Sequence, residues 1–422
     1  MSGHQGRNPS IRARLGSLAS RLYPGLDEAL WTSKRDREML AEIEAGAYAG
    51  NLRELTPLAD PRRLNSTGRR VPHLVVVPQV GPNIETWKPA GGNFFYEIAQ
   101  SAREYAGAKT VTIFGVEAGE PAASWHQRLI RYLVESGATH LIAQVEADPN
   151  SGQTLHSWDT FWSQLLIRWD GVLLGVVTDS SYKWITINAR RLGRMSERFL
   201  LVDICMPMDG SMRKGRREVG PVNMPVSNES LAVVDEHTRG LPKIHDVAFM
   251  GVLYPYRVEM LDSLRALGVN VAVNPHRADK AADLASSQAN QPSWLDYMTA
   301  LAQSHLAINF SQSSAGPFQQ LKTRVLEASS VGCVVLTDDV DRTELFWVPM
   351  REYGYFATPA DIPALANGFL SNPESLKAAQ QAAKLRARAI NVTSFWGGID
   401  EVLGVRGLST FKSNADELDS QT

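Results

Sequence analysis

The strongest constraint on the fold is a regular alternation of short apolar runs with amphipathic helical segments, which begins at residue 73. The apolar runs are rich in Val, Ile and Leu and are too short to be typical helices, so each predicts a strand that is buried on both faces. Strands of this kind, connected by helices, form a parallel sheet with helices on both sides. The alternation continues to about residue 205 and therefore predicts one α/β domain.

The alternation stops at 206–245 and restarts at 246. The interrupting stretch is rich in Pro, Gly and charge, which predicts a linker or crossover. Its basic cluster, which is more typical of a solvated loop than of a binding site, consists of Arg213, Lys214, Arg216 and Arg217. Because the second alternation resembles the first, the sequence predicts an α/β fold with two Rossmann-like, doubly wound domains that face a cleft.

These patterns divide the chain into five segments. They are an N-terminal helical extension (1–70), a first α/β domain (71–205), the linker (206–245), a second α/β domain (246–390) and a C-terminal helix and tail (391–422). The last helix, predicted around 392–404, is long enough to reach back to the first domain.

Composition excludes several classes of protein. Lys and Arg number 43 against 45 Asp and Glu, a net charge of −2, so there is no basic field that would indicate a nucleic-acid partner. Cys205 and Cys333 lie far apart and outside any metal-ligand spacing, which predicts neither zinc nor a disulfide. No apolar run approaches the roughly 18 residues of a membrane-spanning helix, so we expect a cytoplasmic protein.

The N-terminus has a different character. Residues 7–22 carry four arginines and no acid, with leucines and an isoleucine at helical spacing, and they lack the apolar centre of a secretory signal. Such a segment is typical of peripheral contact with an anionic membrane surface, or of a transit peptide. A helix docked on the protein itself, or a tail, is the alternative.

A polar, glycine-bearing loop at 311–320 leads into a short predicted helix that carries Lys322, Arg324 and Glu327. The free amide groups and positive dipole end of a helix N-terminus favour a phosphate, and the two cations add charge there. A carboxylate about one turn further along can accept ribose hydroxyl groups. This order of loop, cations and carboxylate predicts a nucleotide-diphosphate pocket, whereas the simpler alternative is a solvated ion pair on an exposed helix.

The second domain resembles the nucleotide-binding domain of GT-B-fold glycosyltransferases, particularly the spore-maturation-type and group 1 branches. The matching stretches are DVAFMGVLYPYRVEMLDSLRALGVNV, LKTRVLEASSVGCVVLTDD and TPADIPALANGFLSNPESL. The resemblance covers 246–390 well and is weaker across 73–205. It implies that Arg324 and Glu327 face the donor nucleotide and its diphosphate. Gly251, which ends a strand, and Arg257, which opens a helix, match the same site.

The resemblance implies a hexosyltransferase-like enzyme of carbohydrate biosynthesis, which moves a sugar from a nucleotide-activated donor to the hydroxyl of an unidentified acceptor. Many retaining members carry a pair of glutamates, but the position of the first is Gln319 here, so retaining chemistry is not inferred. Asp339 and Asp341 have the spacing of a metal-binding pair but follow a strand, and we interpret them as capping or loop residues. We therefore expect no cofactor and metal-independent transfer.

Candidate residues for the chemistry lie in the first domain. Gly91 and Gly92 precede a predicted helix and allow a diphosphate or an acceptor to approach the backbone, although a plain turn with a helix cap is the alternative. Asp179 ends a strand on the cleft side and is the first candidate for a catalytic base. His156, oriented by Asp159 at a helix start, is the second, and His126 is a weaker one.

Aromatic residues recur at helical spacing between Trp158 and Trp169, a pattern that is more typical of core than of a sugar platform. Two other functions stay open at this stage. A nucleotide-sugar epimerase can share the architecture without needing an acceptor, and the missing first glutamate is compatible with a non-catalytic, transferase-like scaffold. A sugar-binding protein with two α/β lobes is a further class.

Overall fold

The computed structural model describes residues 71–77, 86–107, 111–115, 122–144, 165–166, 168–178, 196–204, 218–251, 253–273, 293–312, 320–338 and 342–412. Within them the chain forms two parallel sheets. The strands of the first sheet are β1 (Leu74–Val77), β2 (Val111–Ile113), β3 (His140–Gln144), β4 (Val172–Val177), β5 (Phe199–Asp203) and β6 (Glu218–Val219). Their order across the sheet is β2-β1-β3-β4-β5-β6.

Alternate residues of the first sheet face two separate apolar layers, because successive side chains of a strand point to opposite faces. Val75 and Leu141 pack in the layer that contains helix α2 (Ala122–Glu135). Leu74 and Ile142 pack in the layer that contains helix α1 (Phe94–Ala106). Both faces are covered, which explains why these strands are apolar throughout.

The second sheet has the same parallel character. Its strands are β7 (His245–Phe249), β8 (Val271–Val273), β9 (Ser304–Asn309), β10 (Val334–Thr337) and β11 (Tyr353–Tyr355), in the order β11-β10-β9-β7-β8. Its helices are α3 (Asn228–Thr238), α4 (Pro255–Ala266), α5 (Trp294–Ala302), α6 (Thr323–Ser330) and α7 (Ile362–Leu370). Short 3-10 turns occupy Thr343–Leu345 and Pro359–Asp361. The predicted α/β fold with two parallel-sheet domains is confirmed.

The described part of the segment 206–245, residues 218–245, is more structured than a linker. Its residues 218–219 add the edge strand β6 to the first sheet, and α3 buries Leu231 and Val234 in the core of the second domain. Sequence periodicity missed this because β6 is only two residues long and α3 is polar on most of its surface.

The C-terminal region also differs from the prediction. The separate helices predicted before and after residue 390 form one continuous helix of 33 residues, α8 (Pro373–Val405). Its first half packs on the second domain through Leu376 and Ala379, and its second half packs on the first domain through Phe395 and Trp396. The helix continues because its inward face stays buried along its whole length. Its second half reaches back to the first domain, as expected.

At the middle of α8, Asn391 ties the helix to the crossover between the domains. Its side chain is buried, accepts a hydrogen bond of 2.9 Å from the amide of Val226 and donates one to the carbonyl of the same residue. The amide side chain thereby satisfies both backbone groups of Val226, which could not reach water here.

The first domain also meets α3 through carboxylates on α1. Glu97 is buried and accepts hydrogen bonds of 2.6 Å from the Ser227 amide and 2.6 Å from the Ser230 hydroxyl. Glu104, two turns further along α1, accepts hydrogen bonds of 2.8 and 3.0 Å from the Asn228 amide. Both carboxylates thus lie at the N-terminal end of α3, where the helix dipole favours negative charge. None of the helices among the described residues is long and apolar enough to cross a membrane.

Candidate functional site

Polar side chains collect at the carboxyl end of the second sheet. β7, β9 and β10 end at Phe249, Asn309 and Thr337, and all three of these residues are fully buried. The Asn309 amide donates a hydrogen bond of 3.1 Å to the Thr337 hydroxyl. This edge is where open α/β sheets bind ligands.

Arg324, in the first turn of α6, extends its guanidinium over this edge. It is buried, donates a hydrogen bond of 3.3 Å from Nη1 to Asn309 Oδ1, and lies 4.9 Å above the centre of the Phe249 ring. Gly251 makes room for it: a β-carbon there would lie 2.1 Å from Arg324 Nη2, and the φ of +154° is one that other residues rarely adopt. The glycine is therefore needed for the arginine to occupy this position.

Arg257 lies beside Arg324 at the start of α4. It is 4% exposed, donates a hydrogen bond of 2.9 Å from Nε to the Tyr256 hydroxyl, and lies 4.8 Å from the centre of the Tyr254 ring. Burial lowers the pKa of Arg257, and the charge of Arg324 lowers it further. Two cations that repel each other in a poorly solvated place form a site that an anion stabilises.

Glu327 follows one turn after Arg324, on the side of α5. Its two carboxylate oxygens accept hydrogen bonds of 2.9 Å from Trp294 Nε1 and 3.0 Å from the Tyr297 hydroxyl. Burial raises the pKa of Glu327, while these two bonds and the charge of Arg324 oppose that rise. The alternative of a solvated Arg–Glu pair does not describe these residues, because Arg324 is buried and Glu327 is held by two aromatic side chains.

Lys322 occupies the N-cap position of α6 and is half-buried, and its side chain makes no capping hydrogen bond. Because the positive end of the helix lies here, Lys322 adds charge beside the arginines by its position. The loop residues 313–319, which precede it and include Gln319, lie outside the described residues.

Gly91 and Gly92 occupy a turn in front of α1. The first amide groups of that helix are already bonded, since Asn93 Oδ1 accepts hydrogen bonds from the amides of Phe95 (3.0 Å) and Tyr96 (3.2 Å). Gly92 has a φ of +75°, and a β-carbon there would lie 2.7 Å from Trp294 Cβ of the second domain. These are the features of the capped turn that the sequence left open, and the role in binding a diphosphate stays a prediction.

The other sequence candidates divide into two groups. His126 is fully buried in the first domain, and burial lowers its pKa well below the usual value, so it lies in the core. Trp169 is also core, as interpreted, and donates a hydrogen bond of 2.7 Å to the Ala138 carbonyl. Outside the described residues lie Asp179, His156, Asp159, Asp339, Asp341 and the segment 7–22.

Sequence reasoning missed the aromatic residues that line the site. Tyr254 and Tyr256 both precede Arg257 in the stretch YPYR, and that proximity was the available signal. Trp294 and Tyr297 are one turn apart on α5, directly after the capping residue Ser293. Nothing in their spacing connects them with Glu327. In the described ranges there is also no cluster of His, Cys, Asp and Glu that would hold a metal ion.

Residues 257–393 match a family model described as glycosyl transferase-like. The matched range begins at Arg257, contains Lys322, Arg324 and Glu327, and ends within α8. The predicted resemblance of the second domain to glycosyltransferases is therefore confirmed over these residues. No curated protein sequence matches the chain significantly.

Several solved structures have a similar chain trace. HepE of Anabaena, in complex with UDP and glucose, is 12% identical, with 78% of this chain and 99% of that one covered and a TM-score of 0.46. Sucrose-phosphate synthase of Thermosynechococcus elongatus is 13% identical, with 83% of this chain and 100% of that one covered and a TM-score of 0.46. The α,α-trehalose 6-phosphate synthase of Burkholderia multivorans is 9% identical, with 80% of this chain and 99% of that one covered and a TM-score of 0.49. At these values the likeness does not identify a ligand for this chain.

Proposed function

We propose, from the premise that residues 257–393 form a glycosyl transferase-like domain, that this protein moves a sugar from a nucleotide-activated donor to an acceptor hydroxyl group. The observation that carries the proposal is the pair of buried guanidinium groups, Arg257 and Arg324, at the carboxyl edge of the second sheet. A diphosphate is the part of such a donor that needs positive charge.

In the proposed reaction the bond between the sugar and the diphosphate breaks, and the leaving diphosphate gains negative charge. Arg324 and Arg257 are fixed charges in a place with little water, where they stabilise that growing charge without reorganisation. Asn309 and the ring of Phe249 hold Arg324 in place. The carboxylate of Glu327 accepts hydrogen bonds from the ribose hydroxyl groups.

The first domain supplies the acceptor site in this proposal. A base must take the proton of the attacking hydroxyl if the reaction inverts the sugar. We assign that role to Asp179 first and to His156 second, because of their positions at a strand end and at a helix start in the sequence. Gly91 and Gly92 lie on the side of this domain that contacts Trp294.

We expect transfer to be independent of metal ions, because Lys322, Arg257, Arg324 and the start of α6 can supply the positive charge. Activity in excess EDTA checks this. Loss of turnover in EDTA that manganese or magnesium restores would contradict it, and Asp339 and Asp341 would then be the first residues to test as ligands.

The experiment that tests the function begins with thermal shifts in the presence of UDP, GDP, dTDP, CMP and their sugars. The nucleotide-sugar that stabilises the protein is then incubated with it, and the products are analysed. A sugar transferred to an acceptor, or to water in slow hydrolysis, supports the proposal. Epimerised free nucleotide-sugar would favour an epimerase instead, and binding without turnover under every acceptor condition would favour a scaffold.

The proposal extends to the N-terminus. Residues 7–22 contain four arginines beside a row of apolar residues, which suits peripheral contact of an otherwise cytoplasmic enzyme with anionic lipids. Deletion of this segment should abolish salt-sensitive sedimentation with anionic vesicles and leave transfer to a soluble acceptor unchanged. Vesicle binding that survives the deletion would contradict this part of the proposal.

A further inference from the structure

Helix α5 presents two hydrogen-bond donors to Glu327, one to each carboxylate oxygen. Trp294 Nε1 donates to Oε1 (2.9 Å), and the Tyr297 hydroxyl donates to Oε2 (3.0 Å). The start of α5 is itself held by a capping box, in which Ser293 Oγ accepts from the Asp296 amide and Asp296 accepts from the Ser293 amide. Two donors on one rigid helix fix both the position and the plane of the carboxylate.

Trp294 is also a point of contact between the two domains. A β-carbon on Gly92 would lie 2.7 Å from Trp294 Cβ, so the first domain approaches the tryptophan closely at this position. The indole of Trp294 therefore connects the turn before α1 with the carboxylate on α6. The position of Glu327 depends in this way on both domains.

The carboxylate retains capacity for a ligand. An ionised carboxylate has about four acceptor positions. Trp294 and Tyr297 occupy two of them, and the Thr323 hydroxyl is a further neighbour that favours the ionised form. Burial works in the opposite direction and raises the pKa of Glu327, and the groups that counteract burial are these three donors and Arg324. The aromatic pair thus favours the ionised form of Glu327, which is the form that accepts hydroxyl donors at both oxygens.

We propose that Trp294 and Tyr297 are positioning residues for Glu327, and that they hold its carboxylate in the orientation that accepts the hydroxyl groups of a bound nucleoside diphosphate. This inference rests on the proposed function. It adds that the affinity for the donor is set from α5, and that the turn at Gly92 stabilises the arrangement by packing on Trp294.

The test uses the full chain and measures the binding of UDP and GDP by calorimetry as a function of pH, because burial raises the pKa of Glu327 above the ordinary value of a glutamate. Tyr297→Phe removes one hydroxyl and keeps the ring. We expect about tenfold weaker binding at neutral pH, the effect of losing one hydrogen bond to a charged group. The loss of affinity in acid should also begin at a higher pH, because Glu327 loses a donor that favours its ionised form.

Tyr105→Phe is the matched control, since it removes a phenol–carboxylate hydrogen bond of 3.1 Å to Asp400 that lies away from the site. It should change neither the affinity nor its pH dependence. Trp294→Phe is a second variant that removes the other donor, and it serves if Tyr297→Phe does not fold.

The outcomes separate the inference from the function on which it rests. Binding by the native chain, weakened in Tyr297→Phe with the acid limb moved upward, supports both. Binding that is unchanged in the variants, or weakened equally at every pH, overturns the positioning role and leaves the proposed function intact. Failure of the native chain to bind either nucleotide, or any other nucleoside diphosphate, contradicts the proposed function and the inference together.

Discussion

Two buried clusters of charge in this protein have opposite sign and are held by different kinds of neighbour. Glu97 on α1 accepts hydrogen bonds from the Ser227 amide and the Ser230 hydroxyl, at the positive end of a helix. Arg257 and Arg324 lie instead beside each other against aromatic rings and neutral oxygen atoms, with the Glu327 carboxylate one turn from Arg324, and burial together with the charge of Arg324 lowers the pKa of Arg257.

The difference separates a structural cluster from a binding one. A buried charge that the chain surrounds with suitable donors contributes to holding two elements together. Two like charges that the chain buries side by side cost stability, and a ligand of opposite charge recovers it. We therefore expect substitutions in the glutamate cluster to lower stability and substitutions in the arginine cluster to lower affinity.

The largest effect is expected at Glu97. In Glu97→Ala the Ser227 amide and the Ser230 hydroxyl lose their acceptor in a buried place, so the free energy of unfolding should fall by roughly 3 kcal/mol. Urea unfolding measures this. Glu104→Ala is the control with a smaller effect, because water can replace that more exposed carboxylate. A Glu97→Ala protein as stable as the native one would contradict the structural role of the glutamate cluster.

The next effect is expected at Arg324. Arg324→Met keeps most of the side-chain volume and removes the charge, so the affinity for UDP or GDP should fall by about 2 kcal/mol, or about thirtyfold. Stability should change less than affinity, because the lost repulsion with Arg257 is offset by the lost attraction to Glu327 and the lost hydrogen bond to Asn309. Calorimetry and urea unfolding measure the two quantities. A loss of stability with unchanged affinity would mean that Arg324 is structural, and the two clusters would then not differ in role.

A smaller effect is expected from a matched pair of glycines. A β-carbon at Gly251 would lie 2.1 Å from Arg324 Nη2, whereas one at Gly268 has nothing within 4 Å, and both residues have positive φ (+154° and +85°). Both Gly→Ala changes should lower stability through backbone strain. Only Gly251→Ala should also lower nucleotide affinity, by about 1 kcal/mol, because it displaces the guanidinium; equal affinities in the two variants would contradict the assignment.

The two clusters of charge also show what the sequence could predict. The buried strands followed from apolar periodicity, and the placement of Arg324 and Glu327 on a short helix before β10 followed from their spacing, whereas their role in binding a nucleotide stays a prediction. The link between Trp294 and Glu327 and the capping of α3 by Glu97 did not follow. Each joins residues that are far apart in sequence, and periodicity describes only the face on which a residue lies.

The smallest effect concerns pH. Burial raises the pKa of Glu97 and of Glu104, so the folded state binds more protons than the unfolded chain just above the ordinary pKa of glutamate. The stability contribution of each group therefore decreases as the pH rises through that window to the raised folded-state pKa. Glu97→Gln should flatten the decrease, measured as unfolding free energy against pH, because the amide does not titrate. An unchanged slope would mean that Glu97 titrates normally.

The length of α8 has a consequence for the folding of the protein during its synthesis. Phe395, Trp396, Ile399 and Leu403 complete the core of the first domain, and Phe411 stacks on His140 of its central strand, 4.2 Å between ring centres. On the ribosome the first domain therefore emerges long before the residues that close its core. Its core stays incomplete until the residues of α8 and Phe411 have been translated, so its folding is tied to the synthesis of the second domain rather than to its own appearance.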